Sequence, residues 1–224
     1  LDLYIGIYKQ CQKKWLKMYN VLPNIGFVSK KLNLKTINKL NNYIKNKKHN
    51  VKNELAGNIH GSYCLTDKNN WFFKNELIPL ILEYIKNTPD FAITPPILTK
   101  NCNYILNKFW VNFQKKYEFN PVHFHSGVFS FVIWLKIPVS FKKEKNLPFL
   151  KNSKSPFCNT FCLLYTNSFG EISSVDYHLE PEDENTILLF SSKMQHVVYP
   201  FYSSNKNRIS ISGNIALDPT QIKQ

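Results

Sequence analysis

From residue 103 to residue 217 the chain is a succession of short apolar runs, rich in β-branched and aromatic residues and broken by turn residues. Runs of this length and texture read as strands. The expected strands are 104–113, 121–125, 128–137, 160–166, 174–179, 186–190, 196–201 and 207–217. Several short strands at this spacing predict a sandwich or a barrel. One connection is unusually long: Pro138, and then Ser140 to Pro156, form a lysine-rich loop between two strands. A loop of that length within a compact domain is expected to be functional or disordered. Together with the helical half, residues Lys142 to Pro156 are a candidate lid.

The first hundred residues have a different period. Leu32, Leu34, Ile37, Leu40 and Ile44 recur at helical spacing and predict a helix near 33–48. Leu77, Leu80, Ile81, Tyr84 and Ile85 make one stripe and predict a second over 74–87, stopped by Pro89, Pro95 and Pro96. Residues 1–20, around Trp15 and Met18, read as a short amphipathic helix or a mobile terminus. The expected class is therefore α+β. Residues 1–100 form an N-terminal helical region packing on the core, 101–218 the β core, and 219–224 a tail. Hydrophobic residues make up 43% of 224 residues, enough to bury one sizeable core.

Charge excludes less than it suggests. The net charge is +14, but the lysines are scattered: Lys13 and Lys14, Lys30 and Lys31, Lys45 to Lys48, Lys115 and Lys116, Lys142 to Lys145. Dispersed lysine without arginine predicts at most weak, non-specific contact with nucleic acid. The five cysteines (Cys11, Cys64, Cys102, Cys158, Cys162) include no Cys-x-x-Cys pair. Free thiols in a reducing, cytoplasmic setting are the simplest expectation. Cys158 and Cys162, four apart with no second pair, are a weak signal for metal. No run of 18 apolar residues is present, so no membrane-spanning helix is expected. The N-terminus lacks the long apolar core of a signal peptide.

The chemistry is carried by a few side chains. His123 and His125 flank Phe124, and on a strand residues two apart point the same way, so both imidazoles can face one pocket. His196 follows the run Thr186 to Phe190 and begins another strand. Twelve residues later comes Arg208, the only arginine beside 28 lysines. Its planar fork of donors suits a carboxylate or phosphate better than an ammonium does. Arg208, Ser210, Ser212 and Asn214 share one strand face, so the first two can meet one ligand. By contrast His49 lies in a polar run, His60 in a Gly-rich segment and His178 on a strand facing a loop; all three are expected to be structural or at the surface. Three histidines of this kind, with an open position, suit iron or catalytic zinc alike.

Three segments resemble a known family. Asn120 to Val132, with His123-Phe124-His125, is similar to the first metal motif of the 2-oxoglutarate–Fe(II) oxygenases encoded by marine bacteriophages and bacteria. Phe190 to Pro200 is similar to their distal-histidine motif, and Asn207 to Ile215 to their closing strand. Trp110-Val111-Asn112 and Leu55-Ala56-Gly57-Asn58-Ile59 also resemble family segments. The likeness spans roughly residues 50–218. It implies a double-stranded β-helix (jelly-roll) core with an N-terminal helical segment. It also implies iron(II), 2-oxoglutarate as co-substrate, and dioxygen. Carried over, His123, His125 and His196 would hold iron, Arg208 and Ser210 would bind the distal carboxylate of 2-oxoglutarate, and Asn112 would join the co-substrate set.

One position departs from the broader superfamily, whose usual motif is His-x-Asp or His-x-Glu. Three neutral imidazoles leave the ion one charge more positive, which favours anionic ligands. A His-x-His pair suits cupins too, but residues 126–134 contain no carboxylate and no second glycine-rich motif surrounds His196. A non-catalytic binding module and a nucleic-acid protein stay open as other readings, although a second arginine, usual in nucleic-acid repair oxygenases, is missing. Trp134, Tyr165 and Phe131 are candidates for the pocket wall. Arg208→Lys is expected to weaken the co-substrate while leaving the fold intact. The sequence does not select a substrate.

Overall fold

The computed structural model describes residues 26–87, 102–218 and 220. The expected helix over 1–20 and the prolines 89, 95 and 96 lie outside these residues. Among the described residues ten strands form two sheets: β1 (Phe27–Lys31), β2 (Gly61–Cys64), β3 (Tyr104–Gln114), β4 (Asn120–His123), β5 (Phe129–Lys136), β6 (Thr160–Thr166), β7 (Ile172–His178), β8 (Thr186–Ser191), β9 (Gln195–Val198) and β10 (Arg208–Leu217). The larger sheet has the order β1-β8-β5-β10-β3-β2 and the smaller β4-β9-β6-β7. All pairs are antiparallel. From β3 to β10 the chain passes back and forth between the sheets, consistent with a jelly roll.

The large sheet is covered on both faces, which explains why its central strands read as unbroken apolar runs. On one face Phe109, Val111, Phe129, Phe131, Ile133, Ile187, Leu189, Ile211 and Ile215 pack against α1 (Leu34–Lys45) and α2 (Ile78–Asn87) through Leu40, Tyr43, Leu80, Ile81 and Tyr84. On the other face Val132, Trp134, Leu188 and Phe190 meet Phe161 and Leu163 of the small sheet. Both helices sit close to their expected spans. Asn33 caps α1, its side chain accepting from the Thr36 N–H at 3.0 Å. Before α2 runs a π-helical turn, Phe73–Leu77. It is launched by Asp67, whose carboxylate accepts from the N–H groups of Phe72 and Phe73 and from the Tyr43 hydroxyl.

Two strands were not expected. β1 and β2 form the outer edges of the large sheet, paired with β8 and β3. The part before residue 100 is thus not purely helical, and a division at 100/101 does not follow an edge of the sheet. The reason is physical: β1 is lysine-rich and only half covered, and β2 is four residues long, so neither carries a period long enough to read. No described helix is long and apolar enough to cross a membrane.

The loop after β5 is also not what was expected. It contains α3 (Phe141–Glu144), with both end residues buried. The Glu144 carboxylate accepts from the N–H groups of Tyr202 (2.7 Å) and Ser203 (3.0 Å) and from the Ser203 hydroxyl. Phe141 stacks on His178 with ring centroids 3.8 Å apart. The segment is fastened to the 201–203 loop and lines neither cavity beside the histidine cluster, so it is not a lid on that cluster.

The helical part is integral to the core. Phe72, fully buried, stacks on Phe109 with centroids 5.6 Å apart and touches Phe131 at 5.8 Å. Phe72→Ala is expected to destabilise the whole molecule by about 3–5 kcal/mol in one cooperative urea transition. A separate early transition that leaves the β core at wild-type stability would contradict this.

Candidate metal centre

The histidines converge by two different routes. His123 ends β4 and is the cross-strand partner of His196 on β9, which places the two rings 4.2 Å apart between centroids. His125 lies past the end of β4, so the expected strand over 121–125 stops short of it. It is returned to the site by the loop, its N–H donating to the Ser192 carbonyl at 2.9 Å, while the Ser192 N–H donates to Val128. Gly127, between them, has φ +104°, and a Cβ there would meet the Ile215 carbonyl at 2.6 Å. The His125 ring stands 4.9 Å from His123 and 5.0 Å from His196. The three ligand nitrogens lie within 4.8 Å of one another, in the range where small ring rotations close them on one ion.

The rings are prepared as neutral ligands. The Nδ1–H of His123 donates to the Pro121 carbonyl at 2.6 Å, and that of His196 to Met194 at 3.1 Å. That tautomer leaves Nε2 with its lone pair. Burial holds all three below the usual imidazole range: His123 is lowered, His125 is lowered to about 4, and His196 to about 3. The other imidazoles, and Lys108 for His125, add repulsion against a proton. No carboxylate of the described residues joins the group.

Arg208 lies deeper in the same interior. It is 1% exposed. An inner cavity of about 40 Å³ is lined by His123, His125, His196, Arg208, Ser210 and Asn112. An outer basin of about 240 Å³ shares Ile59, Trp110, Asn112, Asn120, His123 and His125 with it. The inner space holds only a few waters, so a five-carbon acid must use both. Phe131 and Trp134 line the inner cavity as expected; Tyr165 lies elsewhere, in a depression beside Lys193.

The guanidinium is not held as its sequence context suggests. Its Nε and Nη2 both donate to Gln114 Oε1, at 3.1 and 2.7 Å. Nη1 donates to Asn159 Oδ1 at 2.9 Å and Nη2 also to the Tyr199 carbonyl at 2.9 Å. The fork that was expected to grip a carboxylate is closed on Gln114, and one Nη1 N–H is left. No carboxylate of the described residues lies within ion-pair distance of Arg208. Burial lowers Arg208 to about 9, so it stays charged at neutral pH.

Several residues of the site were not foreseen. Gln114 shares the β3 face of Asn112, and a period-two reading from Asn112 would have reached it. Asn159, buried at φ +44°, has no signal in the sequence. Ser62 donates to Asn112 Oδ1 at 2.8 Å from the unexpected strand β2. Gly57, in the segment Leu55 to Ile59, roofs the outer basin. A Cβ there would lie 1.7 Å from Asn120 Oδ1. Among the remaining histidines, His60 pairs with Glu118 at 2.8 Å and His178 with Thr160 at 3.1 Å. Burial raises the thiols of Cys158 (to about 11) and Cys162, so neither is a ready metal ligand.

Residues 108–214, the stretch that holds His123, His125, His196 and Arg208, match the family model described as "Putative 2OG-Fe(II) oxygenase". Over those residues the chain is similar to that family. The metal and co-substrate of that family are iron(II) and 2-oxoglutarate. The chain's likeness to solved structures includes an oxidoreductase of the 2OG-Fe(II) oxygenase family from Burkholderia pseudomallei, 12% identical over 85% of this chain and 84% of that one, with a TM-score of 0.47. It also includes a prolyl-4-hydroxylase from Pseudomonas putida, 12% identical over 86% of this chain and 93% of that one, with a TM-score of 0.48. No curated protein matches the chain.

The hydrogen bonds of Arg208 correct one expectation from sequence. A lysine ammonium cannot reach Gln114, Asn159 and the Tyr199 carbonyl together. Arg208→Lys is therefore expected to lower stability by about 1–3 kcal/mol, the cost of buried acceptors left unpaired. A thermal melt of the ligand-free protein checks this; an unchanged Tm would show the network to be neutral.

Proposed function

We propose that His123, His125 and His196 hold iron(II), and that Arg208, flanked by Ser210 and Asn112, receives a carboxylate of 2-oxoglutarate. On this reading residues 101–218 are a double-stranded β-helix oxygenase core of the hydroxylase type. The observation that carries it is a single cavity lined at one side by three neutral imidazoles and at the other by a buried guanidinium with no carboxylate of the described residues within ion-pair distance. The donor set fits the metal: three neutral imidazoles, each able to offer a ring-nitrogen lone pair, and no competing carboxylate among the described residues. With iron, 2-oxoglutarate and dioxygen bound, the centre supplies oxidative decarboxylation to succinate and carbon dioxide, one oxygen atom entering succinate and the other the substrate.

The chain's own residues do the rest. Arg208 orients the acid by its remaining Nη1 N–H, and Ser210 can add a hydroxyl donor from the same face. Val132, Trp134, Phe161 and Phe190 wall the inner cavity and exclude water, which strengthens every charge interaction inside. His125 in place of a carboxylate leaves the ion more positive and so favours a dianionic co-substrate. The substrate would approach through the outer basin, past Glu54, Lys108 and Phe124. The four described free cysteines support a reducing, cytoplasmic setting.

Metal content after chelation and reloading tests the ligand set. His123→Ala, His125→Ala and His196→Ala should each lose most of the metal, whereas His125→Asp should keep it and bind 2-oxoglutarate more weakly. Full iron occupancy in His125→Ala would contradict the three-histidine site. Stoichiometric zinc that no iron displaces would favour the zinc reading.

In the metal-loaded protein, 2-oxoglutarate should raise Tm, by linkage worth about 2.7 kcal/mol at a hundredfold excess over Kd. No shift at millimolar co-substrate would contradict the pocket assignment. The scattered lysines should give only weak nucleic-acid binding that fades between low and physiological salt. Sequence-selective binding that survives physiological salt would contradict that.

A further inference from the structure

Resting on the reading that Arg208 receives the co-substrate carboxylate, we infer that Gln114 and Asn159 are positioning residues that hold its guanidinium through neutral amide oxygens and so keep its charge for the ligand. Every acceptor around Arg208 is uncharged: Gln114 Oε1, Asn159 Oδ1 and the Tyr199 carbonyl. A glutamate at 114 would occupy the same place and form a two-pronged ion pair with the Nε–Nη2 edge. The amide leaves the charge uncancelled.

Both amides are fixed so that only oxygen can face the arginine. Gln114 Nε2 donates to the Glu118 carbonyl. Asn159 Nδ2 donates to the carbonyls of Val139 and Leu179, each at 2.8 Å. With their nitrogens spent on carbonyls, neither amide can flip without losing those bonds. Asn159 holds its position at φ +44°, a conformation asparagine tolerates better than most residues. The Phe201 ring, 5.5 Å from the guanidinium carbon, covers one side of the group.

Among the described residues, the carboxylate whose charge reaches Arg208 is Glu144. Its oxygens are already taken by Tyr202 and Ser203. The cavity therefore presents a desolvated cation with one free N–H. An anion entering it gains the full interaction, while a neutral ligand of the same shape leaves the buried charge unpaired. The amide pair thus sets selectivity for a carboxylate without touching the reacting atoms.

Two substitutions of Gln114 separate charge from architecture. Gln114→Glu supplies the missing countercharge; Gln114→Met removes the hydrogen bonds and adds no charge. Titration calorimetry with 2-oxoglutarate on metal-loaded protein, beside thermal melts, reads both. Gln114→Glu should melt at or above wild type, keep its metal, and bind 2-oxoglutarate at least about tenfold more weakly, a difference of about 1.4 kcal/mol. Gln114→Met, which loosens the guanidinium but adds no charge, should melt lower and lose less binding than Gln114→Glu. Equal loss of binding in both variants, or no loss in Gln114→Glu, overturns the inference.

Metal-free wild type gives a second readout that needs no variant to fold. Glutarate should raise its Tm and neutral glutaramide should not; equal shifts overturn the inference. Wild type that binds no 2-oxoglutarate in the presence of metal would instead contradict the co-substrate reading on which this rests.

Discussion

Each strand at the centre of the large sheet is buried on both faces, and the site follows from how the chain meets that constraint. On β10, Ile211 and Ile215 face the helices, while Arg208, Ser210 and Ser212 face the cavity between the sheets. On β3, Phe109 and Val111 face the helices, and Trp110, Asn112 and Gln114 the cavity. Polar groups enclosed in this way must find partners inside. Gln114, Asn159 and Tyr199 supply them for Arg208, Ser62 for Asn112, and Ser130 for Asn214, donating at 3.0 Å. The helices are therefore not an accessory. They bury the far face of the strands whose near face carries the chemistry.

Two sets of groups in the cavity are kept in electrically unfavourable states. The imidazoles are held neutral by burial, with repulsion added at His125 and His196, and the guanidinium is held charged with no carboxylate of the described residues within ion-pair distance. A dication relieves the first and a carboxylate the second. A metal ion and an acid binding together would satisfy both ends of one space, which ties the two ligands into a single pocket by electrostatics alone.

The β half was legible because its longer strands alternate or run apolar over six to eleven residues, and each expected strand appears within a few residues of its place. The triad was legible too, though partly for a reason that does not hold. His123 and His196 face each other across β4 and β9. His125 is not on the strand that was meant to align it and arrives through a loop hydrogen bond to Ser192. The edge strands β1 and β2 were hidden by shortness and lysine. The long loop read as a lid because no periodicity reveals that Glu144 is buried on the 202–203 backbone. Arg208 was found by being the lone arginine, but its hydrogen-bond partners lie 94 and 49 residues away and leave no trace in its neighbourhood.

The central claim is that iron and 2-oxoglutarate occupy one pocket built from His123, His125, His196 and Arg208. The most direct measurement is the visible absorption spectrum of the anaerobic protein titrated with iron(II) and 2-oxoglutarate. A weak charge-transfer band that appears only when both are present, saturates at one equivalent of metal, and is absent in His196→Ala is the predicted result. No band in wild type at millimolar 2-oxoglutarate, or an undiminished band in His196→Ala, would contradict the account.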